Sequence, residues 1–147
     1  MPTGKKNKEK LTRNNGQWTE GRVRSFVTST IRGGFRRWAP KYNVLKSAFA
    51  GRKINQKSGR EANHYVCGKC GEHFPQSGIQ VDHISPVVDP DIGFVNWDTF
   101  IERLFCEADN LQVLCKGCHK VKSKEERETS VAGREKRGTK NKNKKES

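Results

Sequence analysis

Apolar residues recur at helical spacing in the N-terminal third of the chain. A helix that Thr19 can cap has one apolar face, made by Val23, Phe26, Val27 and Ile31. The pair Gly33-Gly34 interrupts or ends this helix, and Pro40 suits the first turn of another. The second helix has its own apolar stripe, formed by Tyr42, Leu45 and Phe49. We interpret both stripes as packing faces.

Alternation of apolar and polar residues predicts strands in the second half of the chain. Ile79, Val81 and His83 alternate with polar positions, so a strand is expected to end at Asp82-His83, where Pro86 favours a bend. Shorter strands are expected at residues 64–66 and 111–114. An amphipathic helix follows Asp98, and a basic helix is expected to run from Lys120 to about Glu128.

Composition divides the chain into four regions. We predict a flexible basic arm over residues 1–16, a basic helical region over residues 17–60 and a compact domain over residues 61–128. The polar residues 53–63 are expected to link the helices to that domain. Residues 129–147 are predicted to be a disordered basic tail. Together these elements predict an α+β fold.

Charge narrows the class of partner. The 30 Lys and Arg residues exceed the 16 Asp and Glu residues, which gives a net charge of +14 and favours a polyanion such as nucleic acid. The excess is uneven, since residues 22–60 hold eleven basic residues and no acidic one. Residues 72–109 hold eight acidic residues and one basic one. The expected phosphate contacts are Arg22, Arg24, Arg32, Arg36, Arg37, Lys41, Lys116, Lys120 and Lys122.

Four of the five cysteines form two CxxC pairs, Cys67 with Cys70 and Cys115 with Cys118. This spacing lets both thiolates of each pair reach one tetrahedral ion, so we expect structural Zn²⁺ in preference to two disulfides. The odd cysteine count and the absence of an apolar signal stretch favour a reducing cytoplasm, and no run is long enough to span a membrane. Cys106 is expected to be a small buried apolar residue.

Several residues between and beside these pairs occur in one recognisable order. The sequence contains Asp82-His83-Ile84, then Asn110-Leu111-Gln112, then Cys115-x-x-Cys118-His119-x-x-Lys122-Ser123. This order resembles the HNH endonucleases whose ββα-metal motif, the His-Me finger, is braced by four zinc-binding cysteines. More loosely, residues 18–22 and 37–42 are similar to the N-terminal part of small HNH proteins of bacteriophages. The resemblance places the HNH domain at residues 61–128.

The resemblance implies a metal-dependent endonuclease that hydrolyses phosphodiester bonds of DNA, by nicking or by double-strand cutting. His83 would be the general base that activates water, which suits a histidine because its ordinary pKa is about 6.5. Asp82 and His119 would hold one divalent ion, Mg²⁺ or Mn²⁺ or a similar ion. Asn110 would hold the two halves of the motif in register. The position of a further family histidine is Ser123 here, which leaves two side-chain ligands.

The expected partner is duplex DNA, in phage DNA processing or packaging within the bacterial host cytoplasm, with no membrane association. Two other hypotheses stay open at this point. One is a zinc-ribbon module that binds nucleic acid without catalysis, which the basic half alone supports. The other is an interaction protein of a virion or packaging machine, docked through the acidic residues 72–109. Cleavage that depends on His83 separates the nuclease from the first of these.

Overall fold

The computed structural model describes the backbone of residues 9–143 and the side chains of residues 9–140. Residues 1–8 of the predicted arm and residues 144–147 of the predicted tail lie outside the described residues. The chain divides into two compact units, Met1–Arg36 and Arg37–Ser147. The described elements are helices and small antiparallel sheets, so the predicted α+β class is confirmed.

The first unit is a small hairpin followed by a helix. Strands β1 (Leu11–Arg13) and β2 (Trp18–Thr19) pair antiparallel, and helix α1 covers Glu20–Gly34. The Thr19 side chain accepts a hydrogen bond from the backbone N–H of Arg22 at 3.1 Å and caps the helix as expected. The hairpin includes part of the predicted flexible arm. No residue of α1 is buried, so its apolar stripe is not a buried packing face.

The second unit opens with helix α2 (Ala39–Ala48), which has Pro40 in its first turn. A three-stranded antiparallel sheet follows, in the order β3 (Phe49–Ile54), β4 (Glu61–Val66) and β5 (His73–Pro75). The strands β3 and β4 contain the two ends of the segment predicted as a linker, five of its eleven residues. Because β3 is an edge strand and exposes four of its six residues, it has no apolar alternation to reveal it.

The part of the second unit that carries the HNH-like residues is a strand pair with one helix after it. Strand β6 (Ile79–His83) pairs antiparallel with β7 (Leu111–Cys115) over five residue pairs. Helix α3 (Trp97–Leu104) lies in the connection between them, capped by the Asn96 side chain. Helix α4 (Lys116–Asn143) leaves the end of β7 directly.

The core of the second unit joins α2 to both sheets. Tyr65, Ile79 and Val113 are buried together, and Val44 and Leu45 of α2 pack against them. This packing places α2 in the same unit as β6 and β7, whereas the sequence predicted a boundary at residue 60. A second buried cluster contains Cys67, Leu114 and Cys115, so the cysteine pairs are part of the core.

Helix α4 is longer than the sequence indicated. It continues through Asn143, across residues for which the sequence predicted disorder. Gly133 on this helix is buried against the backbone of Asp91, and the Arg137 guanidinium donates a hydrogen bond to the Asp91 carbonyl. This tertiary contact supplies packing that the polar sequence itself does not suggest. None of the described helices has the length and hydropathy needed to cross a membrane.

Candidate functional site

The four paired cysteines converge on one point. Their sulfur atoms all lie within 4.8 Å of one another. The first pair follows β4, and the second pair lies at the junction of β7 and α4. Backbone N–H groups point at the thiols, since Cys115 N–H donates to Cys67 Sγ and Cys118 N–H donates to Cys115 Sγ, each at 3.3 Å. Such N–H groups stabilise thiolate charge, so the donor set fits a structural Zn²⁺ ion.

The thiols also influence one another electrostatically. Burial acts to raise the pKa of the Cys67 thiol, but hydrogen bonds from backbone N–H groups, led by that of Cys70, lower it to about 6. The neighbouring thiols, led by Cys115, raise the pKa of Cys118 to about 12. Among these thiols, the Cys67 thiolate is therefore easy to form and the Cys118 thiolate is not. A divalent cation offsets the repulsion among four thiolates.

The fifth cysteine stands apart from this group. Cys106 is half-buried after α3, and its carbonyl oxygen accepts a hydrogen bond from the Trp38 indole N–H at 2.7 Å. Trp38 also packs on Phe105, with ring centroids 5.3 Å apart. Trp38 is thus a packing residue.

Asp82 lies near the end of β6, opposite Gln112 of β7. Its Oδ2 accepts hydrogen bonds from Gln112 Nε2 at 3.0 Å and from Lys122 Nζ at 2.7 Å. Its Oδ1 lies 3.7 Å from His119 Nε2 on the first turn of α4. The Asp82 side chain is 13% exposed and that of His119 is 31% exposed. The structure thus brings these two predicted ligands together in a partly screened position.

Lys122 has a role that the sequence did not reveal. We predicted it as a phosphate contact, but its side chain is only 19% exposed and its ammonium bonds Asp82 and the backbone carbonyl of His83. It also forms an ion pair with Glu126 at 3.0 Å. Burial acts to lower the pKa of Lys122, but the hydrogen bonds and charges of Asp82 and Glu126 outweigh burial and raise it. The ammonium therefore stays charged.

His83, the last residue of β6, is oriented by α3. Its Nε2 lies 2.9 Å from the carbonyl oxygen of Leu104, the last residue of that helix. A carbonyl can only accept, so the Nε2 atom carries the proton in this contact. In the neutral imidazole the lone pair is then on Nδ1. A fully buried residue, Leu104, thus sets the tautomer of the predicted base.

Asn110 connects the two ends of the long segment between β6 and β7. Its Oδ1 accepts from the Ser85 N–H at 2.9 Å, and its Nδ2 donates to the Ser85 carbonyl at 3.3 Å. Its own carbonyl accepts from the Ile84 N–H at 2.8 Å. These bonds hold the turn after β6 beside the turn before β7, which is the bridging position expected for this residue.

Asp82 and His119 together offer two potential metal-ligand atoms, one oxygen and one nitrogen. Among the described residues, the four cysteines are the group found with three or more such ligands within reach of one ion. Neighbouring ligand atoms of an octahedral ion are about 3 Å apart when the metal–ligand distance is about 2.1 Å. The 3.7 Å between Asp82 Oδ1 and His119 Nε2 is thus close to the spacing that one cation needs.

The other predicted phosphate contacts lie on helices or next to them. Arg22, Arg24 and Arg32 are exposed on α1, and the Arg22 guanidinium also lies 4.3 Å from the centre of the Trp18 ring. Exposed positions are likewise found at Arg36, Arg37, Lys116 and Lys120, and Lys41 is half-buried on α2. The second unit thus presents Lys116 and Lys120 on the first turns of α4, next to His119.

Comparison with known proteins does not identify a family for this chain. The chain matches none of the protein-family models, curated proteins or solved structures with which it was compared. Its function is therefore inferred from the residues and their geometry.

Proposed function

We propose that the chain is a zinc-braced, metal-dependent endonuclease that hydrolyses phosphodiester bonds of DNA. The observation that carries this proposal is the distance of 3.7 Å between Asp82 Oδ1 on β6 and His119 Nε2 on α4. His83 follows Asp82 directly on β6, which pairs with β7. The element order of β6, β7 and α4, two antiparallel strands followed by a helix, supports the ββα-metal core that the resemblance implies. An oxygen and a nitrogen ligand suit Mg²⁺ or Mn²⁺.

Each residue has a distinct task in this mechanism. His83 takes a proton from the attacking water at Nδ1, because Nε2 already holds its proton against the Leu104 carbonyl. The bound cation would supply positive charge to the phosphate and to the departing oxygen. Asp82 and His119 would hold that cation, and Asn110 holds the His83 turn through Ser85. Lys116 and Lys120 offer charge to the DNA backbone.

The test is cleavage of supercoiled plasmid by the zinc-loaded full chain with added Mg²⁺ or Mn²⁺. Wild type is expected to convert the plasmid to nicked or linear forms, and His83→Ala to lose at least about 100-fold in rate, in line with the loss of a general base. His73→Ala is the matched control, since His73 is an exposed histidine on β5. Equal cleavage by wild type and by His83→Ala would exclude this mechanism.

A second function, nucleic-acid binding without catalysis, is favoured by one specific observation. The Lys122 ammonium already neutralises Asp82, so this carboxylate has a cation partner without any metal. In that case salt-sensitive DNA binding persists in His83→Ala and Asp82→Ala, and no divalent ion produces cleavage. Either activity is compatible with a role in phage DNA processing or packaging. Co-purification with a packaging protein would support docking through the acidic residues 72–109.

A further inference from the structure

An open groove of about 430 Å³ lies on the second unit, away from the residues proposed for catalysis. Helix α2 forms one wall, and strands β3 and β4 form the other. The volume is within the range of about 300–1,000 Å³ found for small-ligand sites. Asp82, His83 and His119 are not among its lining residues.

Three aromatic side chains line this groove. Tyr42 on α2 and Phe49 on β3 are 52% and 48% exposed, although the sequence predicted both as core. Tyr65 of β4 is buried and forms the floor, with its ring 5.9 Å from that of Phe49 at an angle of 66°. Leu45 of the predicted stripe packs on the core, whereas the rings of Tyr42 and Phe49 remain half exposed at the surface. Such rings can stack on a flat ligand.

The polar lining of the groove consists of carboxamides and one lysine. Asn43, Asn63 and Gln76 contribute three exposed carboxamides, each with a donor and an acceptor. Lys46 contributes a cation, and no carboxylate lines the groove. Carboxamides can pair with the donor and acceptor edges of a nucleobase, while the cation suits the phosphate attached to it.

We infer that this groove binds an unpaired nucleobase of a single strand, stacked against Tyr42 and Phe49. In duplex DNA the bases are stacked on each other, so only a single strand or an extruded base can enter. The inference shares with the proposed function only the choice of nucleic acid as ligand. A peptide ligand would explain the aromatic rings, but it gives no reason for three carboxamides beside a lysine.

The test measures binding without added divalent ion, so that cleavage plays no part. The probes are a short DNA single strand carrying one 2-aminopurine and the same sequence as a full duplex. Tyr42→Ala and Phe49→Ala are each expected to weaken single-strand binding about fivefold or more, because one base–aromatic stack contributes about 1–3 kcal/mol. Duplex affinity should change by less than about twofold. Wild type should also quench the fluorescence of 2-aminopurine, and both variants should quench it less.

The matched control is Ile54→Ala, an exposed apolar residue of β3 outside the groove. It should bind both probes like wild type. Thermal melting confirms folding, and Tyr42→Ala keeps the test informative if Phe49→Ala unfolds. The inference is overturned if folded groove variants bind the single strand as wild type does, or if they lose affinity equally for single strand and duplex. It is also overturned if a proline-rich peptide binds the groove more tightly than the single strand does. Loss of plasmid cleavage in His83→Ala, by contrast, bears only on the proposed nuclease.

Discussion

The ammonium of Lys122 lies 2.7 Å from the Oδ2 atom of Asp82, so a cation on α4 neutralises a carboxylate of β6 within the protein itself. The same ammonium bonds the His83 carbonyl, and it is paired with Glu126 on its other side. Lys122 therefore connects the helix to both residues of the Asp82-His83 dyad. Lys122 contacts the Oδ2 atom of Asp82, so Oδ1 is the carboxylate oxygen that lies near His119.

Replacing Lys122 by Met should destabilise the protein by about 1–3 kcal/mol, because Asp82 loses its partner while it remains partly buried. On the proposed mechanism, it should also increase the rise in melting temperature that Mn²⁺ produces, since a like charge no longer opposes the ion. Lys122→Arg keeps the charge and should respond to Mn²⁺ like wild type. An identical Mn²⁺ response in all three proteins, measured by thermal melting, would contradict this prediction.

Removing one cysteine of the metal group should release the metal. Cys115→Ala leaves three thiolates, and we expect the loss of bound Zn²⁺ and a fall in stability of several kcal/mol, since binding and folding are coupled at such sites. Metal content per chain and thermal melting are the measurements. Cys106→Ala is the matched control, because that thiol lies outside the group, and it should retain its zinc. Equal zinc content in both variants would show that the four thiols do not hold the metal.

Asn110→Ala should cost about 1–3 kcal/mol of stability, because the N–H and the carbonyl of Ser85 both lose a partner. Hydrogen exchange at the Ser85 amide should accelerate more than exchange in β4, since only the turn after β6 is released. Asp109→Ala changes the exposed neighbouring residue and should leave both quantities nearly as in wild type. If the two variants are equally stable, Asn110 does not bridge the turns.

Two glycines of α4 provide a test of the contact between this helix and the Asp91 loop. A Cβ at Gly133 would overlap the Asp91 carbonyl oxygen, whereas nothing lies within 4 Å of a Cβ at Gly138. Gly138→Ala should therefore stabilise the helix by up to about 1 kcal/mol, through helix propensity alone. Gly133→Ala should lose that gain or become destabilising, as judged by chemical denaturation. Equal stabilisation by both substitutions would mean that the loop does not rest on the helix in solution.

The sequence predicted an element correctly where a local residue pattern has a single structural cause. Strand β6 alternates because it has one buried face, and the cysteine spacing follows from the geometry of a tetrahedral ion. The capping of α1 by Thr19 was also predictable, as was the amphipathic helix expected from Asp98 onward, which covers Trp97–Leu104.

The remaining features depend on tertiary contacts or on exposure. The edge strand β3 has no buried face to mark it, and the distal half of α4 is held by the Asp91 backbone, which no local pattern reports. The Lys122 side chain is only 19% exposed, whereas its place among many lysines predicts a surface residue. Its spacing of three from His119 was the available signal, because residues three apart lie on the same helix face. The pair Tyr42 and Phe49 illustrates the converse, since helical spacing predicts a stripe but not how much of it is covered.

The order in which the cysteines occur also determines when the four-thiol site can be completed during synthesis of the chain. Cys67 and Cys70 leave the ribosome 48 and 45 residues ahead of Cys115, and they can offer only two ligands until the second pair emerges. His119 and Lys122 follow Cys118 almost at once. Closure of the zinc site and completion of the Asp82 site therefore coincide, so a truncated chain that ends before α4 has neither.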